Sequence, residues 1–164
     1  MVDHFFASAH SATYSAVLPA PTFALGVRCS DDEITELVYL EPCPEIKPVK
    51  PLAKEAVRQL RAYLKSPAFE FGLPLAVAGT HFQRKVWEQI TAIPCGATRS
   101  YGEVATAIHS GPRAVGNACG ANPYPLIVPC HRVLAANQGL GGFARQRGGF
   151  LLEVKRWLLQ HEGN

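Results

Sequence analysis

The chain has 164 residues, 48% hydrophobic and 18% charged, a globular composition long enough to bury a sizeable core. No apolar run approaches the ~20 residues of a membrane span, and no Lys or Arg precedes Arg28, unlike the basic start of a secretory signal. The net charge of +3 hides a division: residues 1–76 hold seven basic and nine acidic groups (net −2), residues 77–164 nine basic and four acidic (net +5). The basic half points to a polyanionic partner. Cysteines 29, 43, 95, 119 and 130 form no C-x-x-C and have no paired histidines, which fits free thiols in a reducing compartment, the cytoplasm or a eukaryotic nucleus. His4, Cys29 and His81 are conceivable metal ligands, but the ligand spacing is missing and no metal is expected.

In chain order, Tyr14 to Leu18 and Thr22 to Cys29 are β-rich runs separated by the turn residues Pro19-Ala20-Pro21. Asp31-Asp32 marks a second turn, and Ile34 to Leu40 a third strand, giving a small antiparallel sheet. Pro42, Pro44, Pro48 and Pro51 punctuate a loop that excludes regular structure. Pro51 then opens an amphipathic helix over residues 51–65, with Leu52, Ala56, Leu60, Tyr63 and Leu64 at helical spacing. Phe69 to Ala78, with Gly72, Pro74 and Gly79 as breakers, reads as a linker, so the expected domains are 1–76 and 77–164.

Two capping boxes open the second half, Thr80 with Gln83 and Ser100 with Glu103. The first helix carries Phe82, Val86, Trp87 and Ile90 on its apolar face and stops before Pro94; the second ends near His109-Ser110-Gly111. Pro112 begins a third helix to Gly120, and two short helices joined by a Gly-containing turn form a helix-turn-helix pattern. Glycine inside a helix costs ~1 kcal/mol against alanine, so Gly116 and Gly120 need a reason. Either the helix packs closely on a neighbour, or its thinness lets it enter a narrow surface such as a DNA minor groove about 6 Å wide.

Leu126-Ile127-Val128 reads as a buried strand leading into Pro129-Cys130-His131-Arg132-Val133. A cysteine there, beside an Arg and a His, is placed for a lowered pKa and a nucleophilic thiolate; the other four cysteines read as small buried hydrophobes. Neighbouring side chains of an extended segment point to opposite faces, so His131 reaches Cys130 only by a bend after Pro129 or through a water. This favours a relay of Cys, water and His, with Glu162 as the carboxylate expected to orient the imidazole. That adjacency disfavours a hydrolase dyad. A regulator without chemistry would not need the Cys130-His131-Arg132 segment.

Pro-Cys-His-Arg-Val at 129–133 resembles the active-site signature of the O6-alkylguanine-DNA alkyltransferases. Gly79-Thr80, Phe82-Gln83, Val86-Trp87, Ile93-Pro94, Ser100-Tyr101-Gly102, Arg113 to Gly116, Asn122-Pro123 and Trp157 to Glu162 extend the likeness over nearly all of residues 79–162. The resemblance implies an α+β protein. A small N-terminal ribonuclease-H-like domain would precede a C-terminal helical domain with a winged-helix-like helix-turn-helix. It implies irreversible, single-turnover transfer of an alkyl group from O6 of guanine, or O4 of thymine, in double-stranded DNA. Cys130 would be the acceptor and His131 the base through water. Glu162 would hold His131, Tyr101 would donate to the flipped guanine, and Asn122 would brace the turn. Arg113 would fill the base stack, Ala114 and Gly116 would lie along the minor groove, and Arg84 would contact DNA. Gly141, Gly142 and Phe143 would line the base pocket. The family works as a monomer without a cofactor. A lesion-binding relative without chemistry would lack the cysteine present here at 130. Against the family pattern, His109 to Pro112 is shorter, Gly142 to Gly149 is longer, and Phe143 stands where tyrosine is common.

Overall fold

A computed structural model describes residues 14–135 and 149–163. It has a mixed α+β architecture that divides into two units, Met1–Val77 and Ala78–Asn164. Among the described residues, no helix is long and apolar enough to cross a membrane.

In the first unit, β1 (Ala16–Pro19), β2 (Ala24–Cys29) and β3 (Ile34–Leu40) form an antiparallel sheet in that order. Pro19 stays inside β1, paired with Ala24, so the turn begins one residue later than expected. The outer edge strand accepts a proline because its missing N–H removes no ladder bond there. The proline-punctuated loop is not wholly irregular: Val17 and Ile46 exchange both backbone bonds, 3.0 and 3.1 Å, which covers the β1 edge.

Helix α1 (Pro51–Lys65) begins at Pro51 as expected, and buries Ala53, Ala56, Val57, Leu60 and Tyr63. Its buried Gln59 donates to the Gly72 carbonyl at 3.0 Å and accepts from the Gly72 N–H at 2.8 Å. Ile34 bonds the backbone of Pro74 and Ala76. Residues 72–76 are therefore docked on the first unit rather than forming a linker.

The second unit contains α2 (His81–Thr91), β4 (Arg99–Ser100), α3 (Tyr101–Ala107), α4 (Pro112–Gly120), β5 (Val133–Leu134) and α5 (Phe150–His161). Both capping boxes form. Thr80 Oγ1 accepts from the Gln83 N–H at 3.1 Å and Ser100 Oγ from the Glu103 N–H at 3.0 Å, each with the reciprocal bond. Trp87 Nε1 donates to the Ala118 carbonyl at 2.8 Å, tying α2 to α4.

The expected strand over 126–128 does not form. Leu126 takes φ 79°, Val128 bonds back to Tyr124, and Cys130–Arg132 is a 3-10 turn. Pro123, Pro125 and Pro129 supply no N–H for a ladder, and the strand is confined to β5, parallel to β4.

Gly79 has φ +80°, and a Cβ there would lie 2.5 and 2.7 Å from Trp87 ring carbons. Trp87 cannot yield without losing its bond to Ala118. Gly79→Ala should combine a left-handed penalty of roughly 1–2 kcal/mol with an overpacking cost of about 1–3 kcal/mol. The measurement is the urea midpoint and Tm; an unchanged midpoint refutes the expectation.

Candidate active site

Cys130 opens the 3-10 turn and is only 3% exposed. Asn122, just past α4, fixes it. Its side-chain amide donates to the Val128 carbonyl at 2.9 Å and to Cys130 Sγ at 3.3 Å, while its Oδ1 accepts from the Tyr124 N–H at 2.8 Å. The amide thus clamps both ends of the loop and aims the thiol.

His131 is fully buried, and its Nε2 lies 2.9 Å from Glu162 Oε2. Arg132 reaches the same carboxylate twice, Nε to Oε1 at 2.8 Å and Nη2 to Oε2 at 2.9 Å, and Nη1 donates to the Ile93 carbonyl at 2.7 Å. Glu162 is therefore the hub that fastens the end of α5 to the 3-10 turn. Burial pushes the His131 pKa down, aided by the Arg132 and Lys155 charges and opposed by Glu162. The imidazole is neutral near pH 7. A neutral ring facing an acceptor carboxylate carries its proton on Nε2, which leaves a basic lone pair on Nδ1. Nδ1 is buried and has no protein partner among the described residues.

Arg132 does not serve the thiol, and the expectation of a lowered Cys130 pKa is overturned. The Cys119 thiol and full burial push it well up, against the Asn122 bond and the Lys155 charge. A thiolate there would need a proton acceptor.

Three further side chains converge. Tyr101 opens α3, and burial together with the two nearby cysteines holds its phenol protonated well above the ordinary range. Lys155 on α5 is fully buried; its Nζ donates to the Val133 carbonyl at 2.8 Å, lies 5.8 Å from the Tyr101 ring centroid, and burial pushes its pKa down to about 8. Sequence reasoning missed it, although Lys155 falls between Leu151-Leu152 and Leu158-Leu159 at helical spacing, on the apolar face. Cys119 is half-buried, and its side chain is the first cause of the raised Cys130 pKa. Its position eleven residues upstream carries no sequence signal of that influence.

The expected DNA-facing residues separate by element. Arg113 is exposed near the start of α4, with Ala114 and Gly116 half-buried on the same helix. A Cβ at Gly116 would meet nothing within 4 Å, so close packing does not account for that glycine. Arg84 lies on α2, exposed, with its guanidinium on the Gly79 carbonyl at 2.8 Å. Gly141, Gly142 and Phe143 lie outside the described residues.

Residues 81–164 match the family model for the DNA-binding domain of 6-O-methylguanine DNA methyltransferase. A methylated-DNA–protein-cysteine methyltransferase of Methanosarcina mazei is 35% identical over 159 residues, 92% of this chain and 98% of that protein. The constitutive enzyme of that name from Bacillus subtilis is 43% identical over 114 residues, 68% of this chain and 67% of its own. The crystal structure of Mycobacterium tuberculosis OGT in complex with DNA superposes with a TM-score of 0.75 at 38% identity, covering 89% of this chain and 90% of that one.

Proposed function

Because this chain belongs to the O6-methylguanine-DNA methyltransferase family, we propose that Cys130 is the acceptor through which it carries out the family reaction. It repairs DNA by direct reversal, moving a methyl or larger alkyl group from O6 of guanine to its own cysteine. The observation that carries the residue assignment is a buried thiol clamped by Asn122 beside a neutral His131 whose Nε2 is held on Glu162.

His131 Nδ1 accepts the Cys130 proton through a bridging water, a buried ring nitrogen and a thiol being two of the polar partners such a water requires. Sγ attacks the alkyl carbon, a C–S bond forms as the C–O bond breaks, and the electrons leave on guanine O6. The Tyr101 phenol, still protonated, donates to the ring of the departing guanine and stabilises its charge. Asn122 and Glu162 act by positioning. The thioether product has no leaving group better than the thiolate, so each molecule reacts once.

The base must leave the duplex to reach a thiol this buried, at a cost of a few kcal/mol. Helices α3 and α4 are read as a winged-helix-like helix-turn-helix, with α4 in the minor groove along Ala114 and Gly116. The open space over Gly116 supports that reading. Arg113 stacks where the base was, and Arg84 meets phosphate. Gly141, Gly142 and Phe143 are assigned to the base pocket on the family likeness. The three-stranded meander followed by α1 supports a ribonuclease-H-like first domain.

The direct test is incubation with a duplex containing O6-methylguanine, followed by peptide mapping. The methyl group should appear on the Ala114–Arg132 tryptic peptide and localise to Cys130. A methyl group elsewhere, or none, refutes the assignment. Arg113→Ala should slow transfer from the duplex by roughly 10–100-fold, the scale of a few kcal/mol of base extrusion. Reaction with a free O6-alkylguanine base, which needs no extrusion, should change little. Equal losses in both assays would remove Arg113 from that role.

A further inference from the structure

The first unit is acidic in total, yet its positive charge is concentrated in one place. Residues 1–76 carry seven basic groups, and six of them fall between Lys47 and Lys65, where Glu55 is the one acidic residue. The seventh, Arg28, is held by Glu36 and lies 4.3 Å from the Tyr14 ring centroid. Within α1 the exposed positions are Pro51, Lys54, Arg58, Arg61 and Lys65, so after the opening proline every one is a cation. At 3.6 residues per turn these four side chains fall within about 60° of one another and span roughly 16 Å of the helix. Arg58 is paired with Glu55, whereas Lys54, Arg61 and Lys65 make no ion pair among the described residues.

Folding does not explain this row. Lys54 with Arg58 and Arg61 with Lys65 are like charges four residues apart, and Arg58 and Arg61 are three apart, spacings at which repulsion destabilises a helix. Lys50, at the N-cap, and Lys54 flank the N-terminal turn, where the helix dipole repels cations, and that turn holds no acidic residue. Only Lys65, in the last turn, gains from the dipole.

We propose that the exposed face of α1 is a docking surface for the phosphate backbone of duplex DNA. The choice of DNA as the polyanion rests on the alkyltransferase reading; the surface itself rests on the charge placement. A duplex carries one negative charge per about 1.7 Å of its axis, so a straight cationic row of this length meets several phosphates at once. A membrane fits less well, because an interfacial helix buries its apolar side in lipid, and Ala53, Ala56, Val57, Leu60 and Tyr63 are already buried in the protein. Single-stranded nucleic acid also fits less well, because no aromatic side chain stands at the exposed positions of α1 for bases to stack on. Phosphate contacts carry no sequence information, which suits a protein that must pass over undamaged DNA before it meets a lesion.

The test combines Lys54→Gln, Arg61→Gln and Lys65→Gln in the full-length protein and leaves Arg58, which Glu55 already engages. Glutamine is a good helix former and the changes relieve repulsion, so the urea midpoint should hold or rise. Affinity for an undamaged duplex is then measured over a range of salt concentrations. Losing three phosphate contacts should lower the slope of log K against log salt by about 2–3, and binding at about 0.1 M salt should weaken roughly 10–100-fold. In the unaltered protein, saturating duplex should slow acetylation of Lys54 and Lys65 severalfold, read by mass spectrometry. An unchanged slope, or lysines acetylated equally fast with and without duplex, overturns the proposal. So does a variant that binds duplex normally but no longer binds vesicles of anionic lipid, which assigns the face to a membrane. If the slope falls and the lysines are protected while unaltered protein takes up no methyl group from O6-methylguanine, the surface stands and the alkyltransferase assignment falls. Full methyl uptake with an unchanged slope removes the surface alone.

Discussion

Cys130→Ala protein should bind a duplex containing O6-methylguanine and transfer nothing. Removing the nucleophile leaves no atom to displace guanine O6, and a fall of at least about 10⁴-fold is the scale set by nucleophile removal in other sites. The alternative nucleophile is the Cys119 thiol, which also raises the Cys130 pKa in the unaltered protein. It is not a replacement, because a single displacement requires sulfur, carbon and leaving oxygen in line. Asn122 donates to Cys130 Sγ at 3.3 Å, while its contact with Cys119 is to the backbone carbonyl. Binding should persist because the proposed DNA-facing residues lie on α4 and α2, not on the 3-10 turn that carries Cys130. Affinity measured in rising salt, where phosphate contacts release counterions, should track that of the unaltered protein. Methylation of Cys119 in this variant would show that alignment at the site is looser than the Asn122 clamp implies.

Much of this site was legible in the sequence where local chemistry decides structure. Thr80 with Gln83, Ser100 with Glu103, and Pro51 mark helix starts, because a cap or a fixed φ acts within one turn. The Pro-Cys-His-Arg motif and the terminal Glu162 stand out for the same reason, as residue types whose chemistry is specific. The strand expected at 126–128 failed because a β-branched run becomes a strand only if a neighbour pairs with it. Here three prolines and a left-handed Leu126 turn the chain before β4 can. Arg132 looked like an activator of the adjacent thiol. It turns instead to Glu162 and the Ile93 carbonyl, thirty and thirty-nine residues away in sequence. The influence of Cys119 on the Cys130 thiol is likewise tertiary, and nothing local announces it.

Glu162→Gln should impair both folding and transfer, because one carboxylate accepts from His131 and twice from Arg132 in a buried cluster. An amide can accept at one end only. Its NH₂ would face either Arg132 Nε, at the Oε1 position, or both His131 Nε2 and Arg132 Nη2, at the Oε2 position, and in either case the guanidinium loses its charge partner. Breaking a buried pair in this way costs about 3–5 kcal/mol, which the urea midpoint will read. The chemical effect is separate. In the orientation that sets the NH₂ opposite Nε2, the imidazole gains by accepting there and moving its proton to Nδ1, the atom assigned to receive the Cys130 proton. The base is then lost, and transfer in that orientation should fall about 10²–10⁴-fold, the usual worth of general base catalysis. The pH dependence tells these effects apart. His131 has its pKa depressed in the folded protein, so its contribution to stability is present above the unfolded value of 6.5. That contribution is lost as pH falls below 6.5 toward the folded value. Removing the Glu162 charge, which opposes the depression, lowers the folded value further and widens that window. A variant whose transfer is normal once folded would show Glu162 to be a fastener of α5 only. A variant that folds, binds duplex and still fails to transfer places the tautomer of His131 under its control.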